Sequence, residues 1–304
     1  MFEGFSDQFV TVSGGVRLRV RVGGSGPAVL LLHGYPQTHV CWHKVAPLLV
    51  AAGFTVIVSD LRGYGDSDKP PAGDDHQAYS KRAMAADQVE MMANLGFERF
   101  FLAGHDRGAR VAHRLGLDHP GAVRRMAVLD IAPTQTMYAL TDREFATGYY
   151  HWFFLIQPAP LPERLIGADP EFYLRHKLAA WSQGNMAAFS EEAIGEYVRC
   201  FSDPACIAAT CEDYRAAASI DLVHDAQDQD RRLEAPLLAL WGARGLVHRL
   251  YDVLETWREK ARDVEGHSLP CGHFLPEERP AETARALTDF FGRDATGEHA
   301  DDRG

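Results

Sequence analysis

The chain has 304 residues, of which 46% are hydrophobic and 24% charged, a composition typical of one large globular domain or a core domain that carries an insertion. Its formal net charge of −11 excludes a basic field that attracts phosphates, so we expect neither nucleic acid nor a membrane surface as a partner.

The cysteines and the first residues of the chain indicate its compartment. The five cysteines are odd in number and form no Cys-x-x-Cys pair, so neither a disulfide framework nor a zinc site is expected, and we predict no metal. The opening MFEGFSDQFV lacks the features of a signal peptide, and the sequence contains no apolar run of about 18 residues. We therefore expect a cytoplasmic protein.

The first half of the chain alternates between strand and helix patterns. Residues 8–13 and 16–22 predict a hairpin, because VRLRVRV alternates apolar and polar side chains. Short apolar runs typical of strands buried on both faces follow as AVLLLHGYP, FTVIVSDLRG, RFFLAGHD and RRMAVLDIAP. Helical patterns lie between them, over residues 41–52 and 79–95. This alternation predicts a mostly parallel sheet with helices on both faces.

The alternation stops between residues 134 and 232, where the sequence is helical and rich in aromatic residues. It resumes with APLLALWGA and VEGHSLPCGHF, which complete an eight-stranded sheet, and the chain closes on a helical pattern from Pro280. We predict a core domain over residues 1–133 and 234–294, and a helical cap over 134–233, inserted after the sixth strand. The cap would roof the carboxyl edge of the sheet, where ligands bind in open α/β sheets. Residues 295–304 are predicted to be a disordered acidic tail.

The segment GHDRG, residues 104–108, has the pattern of a nucleophile in a sharp strand-to-helix turn, with Asp106 in the reactive position. The flanking glycines leave room for such a turn. An alternative is a plain turn in which Asp106 caps the following helix.

His273 follows the last strand, where it could act as the base, and Asp130 ends the sixth strand, where it could orient the imidazole. The loop after the seventh strand, WGARGLV, offers no acid for that role. Asp60 also ends a strand, and we assign it a structural role in the turn that follows. The alternative for His273 is packing within its loop.

Two backbone N–H groups, those of Tyr35 and Arg107, are predicted to form the oxyanion hole, with His33 bracing the first of these loops. A nucleophilic carboxylate displaces a leaving group from saturated carbon and forms an alkyl-enzyme ester, which water activated by the histidine then hydrolyses. Asp106 therefore indicates cleavage of a carbon–halogen bond or of an epoxide.

Arg107 and Arg110 lie three residues apart beside Asp106, which predicts a bidentate clamp for a carboxylate carried by the substrate. The alternative is that they pair with structural acids. His151, Trp152 and Tyr214 would supply N–H and O–H donors to a leaving halide, although cap aromatics also serve simply as core.

These motifs together resemble the haloacetate dehalogenases, the fluoroacetate dehalogenase branch of the α/β-hydrolases. The resemblance extends over nearly the whole chain through HGYPQTHVCWHKVAPLL, SDLRGYGDSDKP, AGHDRGAR, AVLDIAPT, HWFFLIQPAPLPE and GHFLPEERP. It implies the α/β-hydrolase fold and a cytoplasmic homodimer that needs no cofactor. Where the family often has HGFP, this chain has Tyr35, whose added hydroxyl could alter the mouth of the pocket.

The resemblance also implies a role for each site residue. Asp106, His273 and Asp130 would be nucleophile, base and orienting acid, and Arg107 and Arg110 would bind the carboxylate of a small haloacid. His151, Trp152 and Tyr214 would form the halide pocket, with Trp181 nearby.

Two other functions stay open on the sequence. An epoxide hydrolase uses the same Asp-His-Asp triad and polarises the epoxide oxygen with tyrosines of the cap. Tyr149, Tyr150 and Tyr214 are available for that role. A small-ligand sensor on a hydrolase fold is the other. Spacing along the chain also does not decide between fluoroacetate and chloroacetate.

Overall fold

The computed structural model describes residues 1–295, and an eight-stranded sheet forms its centre. The strands lie side by side in the order β1-β2-β4-β3-β5-β6-β7-β8. Their bounds are β1 (Ser6–Thr11), β2 (Arg17–Gly23), β3 (Ala28–Leu32), β4 (Thr55–Ser59), β5 (Phe100–His105), β6 (Val123–Leu129), β7 (Leu237–Gly242) and β8 (Val264–Leu269). β2 pairs antiparallel with β1 and β4, whereas the pairs formed among β3 to β8 are parallel. The mostly parallel sheet that the sequence predicts is confirmed.

The buried strands explain why the apolar runs are continuous. Every residue of β3, β4 and β5 is buried, as expected of strands covered by helices on both faces. The flanking helices are α1 (Ala46–Ala51), α2 (Lys81–Asn94), α3 (Arg107–Asp118), α12 (Leu246–Leu250), α13 (Val253–Arg258), α14 (Leu275–Glu278) and α15 (Pro280–Ala295). α2 packs on α3, which contacts β5 and β6, while α15 packs on α1 and also contacts β6.

Between β6 and β7 the described chain is helical, as expected for an insertion after the sixth strand. Its helices are α4 (Thr134–Ala139), α5 (Arg143–Gly148), α6 (His151–Leu155), α7 (Leu161–Gly167), α8 (Pro170–Trp181), α9 (Glu191–Phe201), α10 (Pro204–Ala217) and α11 (Ile220–Gln227). α10 is central to this segment because it contacts α6, α7, α9 and α11.

The first hairpin strand, predicted over residues 8–13, is observed at Ser6–Thr11, and the observed elements differ further from the sequence expectations at two places. The helix predicted over residues 41–52 is instead a 3-10 turn, His39–Trp42, followed by the short helix α1, which begins at Ala46 beside Pro47. Proline is favoured in the first turn of a helix and disfavoured in its interior, which accounts for the later start. α15 continues through Ala295, so the predicted tail loses its first residue, and its remainder lies outside the described residues.

None of the helices within residues 1–295 combines the length and the apolar character that crossing a bilayer requires.

Candidate active site

The predicted site residues of the core lie at one edge of the sheet. Asp106 directly follows β5, Asp130 directly follows β6, and Tyr35 comes shortly after β3. His273 lies in the loop between β8 and α14. Because these strands are parallel, their carboxyl ends meet at the same edge and bring together side chains that are far apart in the sequence.

Asp106 occupies a strained turn between β5 and α3. Its backbone has φ 48° and ψ −113°, a region that residues other than glycine rarely adopt, and its side chain makes no capping hydrogen bond to α3. A Cβ on Gly104 would lie 2.5 Å from the carbonyl oxygen of Gly108, and a Cβ on Gly108 would lie 2.4 Å from that of His33. Only glycine allows this close packing, so the turn presents Asp106 as a nucleophile elbow does rather than as a helix cap.

The carboxylate of Asp106 is held by the core and faces the imidazole. Its Oδ1 accepts a hydrogen bond of 2.9 Å from the backbone N–H of Tyr35, and its Oδ2 lies 3.8 Å from Nε2 of His273. Burial favours the neutral acid, but the positive charges of His273, Arg110 and Arg107 outweigh it and lower the pKa of Asp106 below 3.8. The side chain is therefore ionised at neutral pH, the state in which a carboxylate is nucleophilic.

Asp130 is in hydrogen-bond contact with His273. Nδ1 of the imidazole and Oδ2 of Asp130 are 2.6 Å apart, and Oδ1 of Asp130 accepts a hydrogen bond of 2.8 Å from the backbone N–H of Gly242. Nε2 of His273 is buried without a hydrogen-bond partner in the described chain, on the side that faces Asp106. Burial disfavours the imidazolium, but the hydrogen bond and charge of Asp130 outweigh it and raise the pKa of His273 above 6.5.

His105 supports this arrangement, a role that the sequence reasoning missed although the residue lies inside the quoted motif. Its Nε2 is 2.8 Å from the backbone carbonyl oxygen of His273, and the two rings are 4.6 Å apart. Burial, followed by the charge of His273, lowers the pKa of His105 to about 3. His105 therefore stays neutral at physiological pH and can donate a hydrogen bond that fixes the His273 loop.

Arg107 is paired with an acid, as one of the sequence alternatives allowed. Its Nε and Nη2 donate hydrogen bonds of 2.8 Å each to the two carboxylate oxygens of Asp213, which also accepts a 2.6 Å bond from Tyr64 and contacts Lys81. Nη1 of Arg107 remains buried with no hydrogen-bond partner among residues 1–295. Asp213 was not identified from the sequence, and its only local signal is that it precedes Tyr214.

Arg110 has no acidic partner within 4.0 Å in the described part of the chain. Its Nη1 donates to the hydroxyl of Thr134 at 2.9 Å and to the carbonyl oxygen of Ala132 at 3.2 Å, and its Nε is buried without a partner there. Burial, and then repulsion by Arg107, lowers the pKa of this guanidinium. The two arginines thus place two unused N–H donors near Asp106, in surroundings where an anion would be stabilised.

The helical segment brings His151, Trp152 and Tyr214 over the same region. The ring centroids of His151 and Tyr214 are 5.5 Å apart, those of Trp152 and Tyr214 are 6.4 Å apart, and the Arg107 guanidinium lies 4.1 Å from the Tyr214 ring. Nδ1 of His151 and the hydroxyl of Tyr214 are buried and, within residues 1–295, unpartnered. Burial holds the pKa of His151 well below 6.5, so its imidazole is neutral.

Trp181 bridges the two parts of this site. Its ring lies 4.6 Å from that of His151 and 5.5 Å from that of His273. Tyr35 is fully buried, with its ring 5.3 Å from Tyr214 and 6.3 Å from Trp181. Its side chain therefore lies among the aromatic residues above Asp106.

Asp60 directly follows β4, and His33 directly follows β3. Asp60 is fully buried and accepts hydrogen bonds from the backbone N–H groups of His39 at 2.8 Å and of Asp66 at 3.1 Å. His33 accepts a bond of 3.1 Å from the backbone N–H of Leu61 through its Nε2. Both arrangements fit the bracing roles that the sequence suggested.

The side chains with metal-ligand spacing in the described residues are Asp66, Glu196 and Cys200. Arg199 hydrogen-bonds to both carboxylates, at 2.7 Å each, so their charge is already compensated. This cluster is not part of the arrangement around Asp106.

Comparisons with known proteins identify the family to which this fold belongs. Residues 27–280 match the family model of the α/β hydrolase fold. A fluoroacetate dehalogenase from Burkholderia sp. is 47% identical over 100% of this chain and 99% of its own. A soluble epoxide hydrolase from Corynebacterium sp. (strain C12) is 37% identical over 91% of this chain and 94% of its own. A solved structure of a candidate α/β hydrolase from Nostoc sp. PCC 7120 has a TM-score of 0.94 and 59% identity, covering 96% of this chain and 99% of that one.

Proposed function

The chain belongs to the α/β-hydrolase family and, within it, to the haloacetate dehalogenases, and from that premise we propose that it converts a haloacetate and water to glycolate and halide through an ester on Asp106. The observation that carries the proposal is an ionised, strained carboxylate beside two guanidiniums with unused donors. A substrate with its own carboxylate would use those donors and would offset the repulsion between itself and Asp106.

In the first step Oδ2 of Asp106 attacks the carbon that bears the halogen, and the carbon–halogen electron pair leaves with the halide. Oδ1 keeps its hydrogen bond from the backbone N–H of Tyr35, so Oδ2 is the oxygen that is free to attack. Arg107 and Arg110 would hold the substrate carboxylate through Nη1 and Nε, so that the carbon lies over Asp106. Such positioning converts a bimolecular displacement into an intramolecular one.

The leaving halide would be stabilised by donors from the helical segment. The unpartnered Tyr214 hydroxyl and the His151 imidazole, together with the Trp152 indole, supply N–H and O–H groups in a buried setting. Hydrogen bonds to a developing anion are strongest where water is excluded, and fluoride benefits most because it is a small, strong acceptor. His151 acts as a neutral donor because its pKa is low.

In the second step a water attacks the ester carbonyl of Asp106. Nε2 of His273 takes the proton of that water, and the imidazolium is stabilised by Asp130 at 2.6 Å. The carbonyl oxygen becomes an oxyanion that the N–H groups of Tyr35 and Arg107 would receive. As the tetrahedral intermediate collapses, the bond between the Asp106 carbonyl carbon and the glycolate oxygen breaks, and the imidazolium of His273 protonates the departing oxygen. The Asp106 carboxyl group then loses its proton to solvent, which restores the carboxylate.

The test is halide release measured with ion-selective electrodes on fluoroacetate and chloroacetate, which also decides between these two substrates. The variant His273→Asn should release one halide per active site and then stop, with Asp106 gaining a carboxymethyl group of about 58 Da. In oxygen-18 water, single turnover of the unaltered enzyme should label Asp106 before glycolate. Label that enters glycolate directly would contradict the ester route.

An epoxide hydrolase is the second candidate, supported by the unpartnered Tyr214 hydroxyl and by the relative from Corynebacterium sp.. Diol formation from styrene oxide without halide release from either haloacetate would establish it. A small-ligand sensor would instead bind carboxylates tightly and turn over neither class of substrate.

We also propose that residues 134–233 act as a cap and that the protein is a cytoplasmic homodimer. Leu161, Leu165 and Phe172 of the helical segment are 49%, 60% and 67% exposed, which supports a protein interface on this face. Light scattering after gel filtration would give the mass in solution. Charged substitutions at Leu165 and Phe172 should then convert a dimer to monomers.

A further inference from the structure

A second cationic feature lies outside the constellation around Asp106. A cavity of about 270 Å³ leads from the surface of the helical segment to Trp181 and His273. His176, Lys177 and Arg249 line it, and its described lining includes no aspartate or glutamate, although Arg249 pairs with the exposed Glu144 at 3.2 Å. In a chain with a net charge of −11, a passage lined by cations but by no acid favours the approach of an anion.

Lys177 is the unusual member of this lining. Its side chain is only 1% exposed, and Nζ lies 3.6 Å from the Tyr150 ring centroid and 5.3 Å from those of Tyr173 and Trp181. Tyr173, Lys177 and Trp181 are four residues apart on α8 and therefore share one helix face. No acidic residue within residues 1–295 pairs with this ammonium.

A buried ammonium without a counter-ion is costly, and aromatic faces compensate only part of its lost hydration. Burial accordingly lowers the pKa of Lys177 to about 7. A methionine or leucine at position 177 would fill the space between these three aromatic rings without the free-energy cost of burying a charge. A lysine retained here, at the wall of a cavity that ends at His273, is explained if an anion supplies the missing partner.

We propose that Lys177, walled by Tyr150, Tyr173 and Trp181, forms an outer binding site for a small monocarboxylate, occupied before the anion passes Trp181 to reach Arg107 and Arg110. The nature of the ligand rests on the proposed function, whereas the existence of the site does not. Trp181 separates the two sites, since its ring contacts both Lys177 and the rings of His151 and His273.

The outer site should also depend on pH, because Lys177 is cationic below about pH 7 and neutral above it. The other ionisable groups around it are Tyr150 before α6, Tyr173 and His176 on α8, and His273 in the loop between β8 and α14. Arg249 on α12 and its partner Glu144 on α5 are the remaining charged groups. His151 also lies within range of its charge. Lys177→Arg keeps a cation at every pH and thereby isolates the contribution of Lys177.

The probe is trifluoroacetate, an inert carboxylate whose binding is followed by fluorine NMR on the full chain. In the Arg110→Gln background, which weakens the inner clamp, we expect residual binding that the further change Lys177→Met weakens about tenfold. Lys177→Arg should preserve that binding at pH 9, where the lysine form loses it. Lys260→Met, which removes one positive charge remote from this cavity, is the matched control and should leave binding unchanged.

Two results would overturn the proposal: loss of all trifluoroacetate binding on Arg110→Gln alone, or equal binding with lysine and methionine at position 177. Thermal melts establish that Lys177→Met is folded, and Lys177→Gln serves as a second neutral variant. Because trifluoroacetate is not turned over, the outer site is tested even if no haloacetate is cleaved. Conversely, halide release with unaltered trifluoroacetate binding in the Lys177 variants would reject the outer site and leave the proposed function intact.

Discussion

Replacing Asp213 by asparagine should destabilise the protein more than any other single neutralisation in the Arg107 network. Asp213 is fully buried and binds Arg107 through two hydrogen bonds of 2.8 Å. Its carboxylate also accepts hydrogen bonds from the hydroxyl of Tyr64 and from Nζ of Lys81. Removing one partner of a buried ion pair costs about 3–5 kcal/mol because the other charge is left uncompensated. Lys81 retains Asp221 at 3.4 Å, so only Arg107 loses its carboxylate, and we expect about 3 kcal/mol.

Urea unfolding followed by circular dichroism measures this loss as a change in the free energy of unfolding. Asp221→Asn is the matched control, since it removes a buried carboxylate from Lys81 and leaves the pair between Arg107 and Asp213 intact. We also expect the KM for haloacetate to rise about tenfold in Asp213→Asn, because Arg107 is no longer held with Nη1 free. A loss of stability below about 1 kcal/mol, or an equal loss in the control, would refute the assignment of Asp213 as the group that fixes Arg107.

Three further predictions concern the halide donor, the base and a buried acid. Tyr214→Phe should lower kcat for fluoroacetate about 10²-fold and for chloroacetate less, measured by halide release, because fluoride depends more on hydrogen bonding. The kcat of the enzyme, limited by ester hydrolysis, should rise with pH as His273 loses its proton, with a midpoint above 6.5, and Asp130→Asn should move that midpoint down. Glu277 is buried, and burial raises its pKa to about 7. Its contribution to the free energy of unfolding is therefore present below pH 4.5 and is lost as pH rises through 7. In Glu277→Gln the free energy of unfolding, measured with urea, should vary less between about pH 5 and 8 than in the unaltered protein.

The arrangement around Asp106 links the two parts of the chain. Arg107 comes from the core helix α3, whereas its partner Asp213 and the neighbouring donor Tyr214 come from α10 of the helical segment. The ion pair therefore fixes the segment against the core at the position where the halide would leave. Anchoring the donors in this way reduces the reorganisation needed when charge develops.

The sequence alone determined the sheet and placed the candidate site residues at the ends of its strands, because both depend on local signals. Apolar runs of five or six residues predict buried strands, and the glycines around Asp106 predict a tight turn wherever that segment is placed. The chain order of Asp106, Asp130 and His273 then assigned them to the segments that follow β5, β6 and β8. The helix predicted over residues 41–52 was wrong in its bounds, because Pro47, which favours a start at Ala46, was not used as the signal for the beginning of the helix.

Only the tertiary structure decided which charges meet. Arg107 and Asp213 are 106 residues apart, and the sequence offers many acids with which an arginine could pair. The same holds for Lys177. Its position in the sequence of α8 is compatible with an exposed or a buried lysine, and only the tertiary structure shows that the Tyr150 ring covers it. Pairing and burial depend on how α8 and α10 pack on the core, and the interactions that fix this packing are distributed over distant segments of the chain.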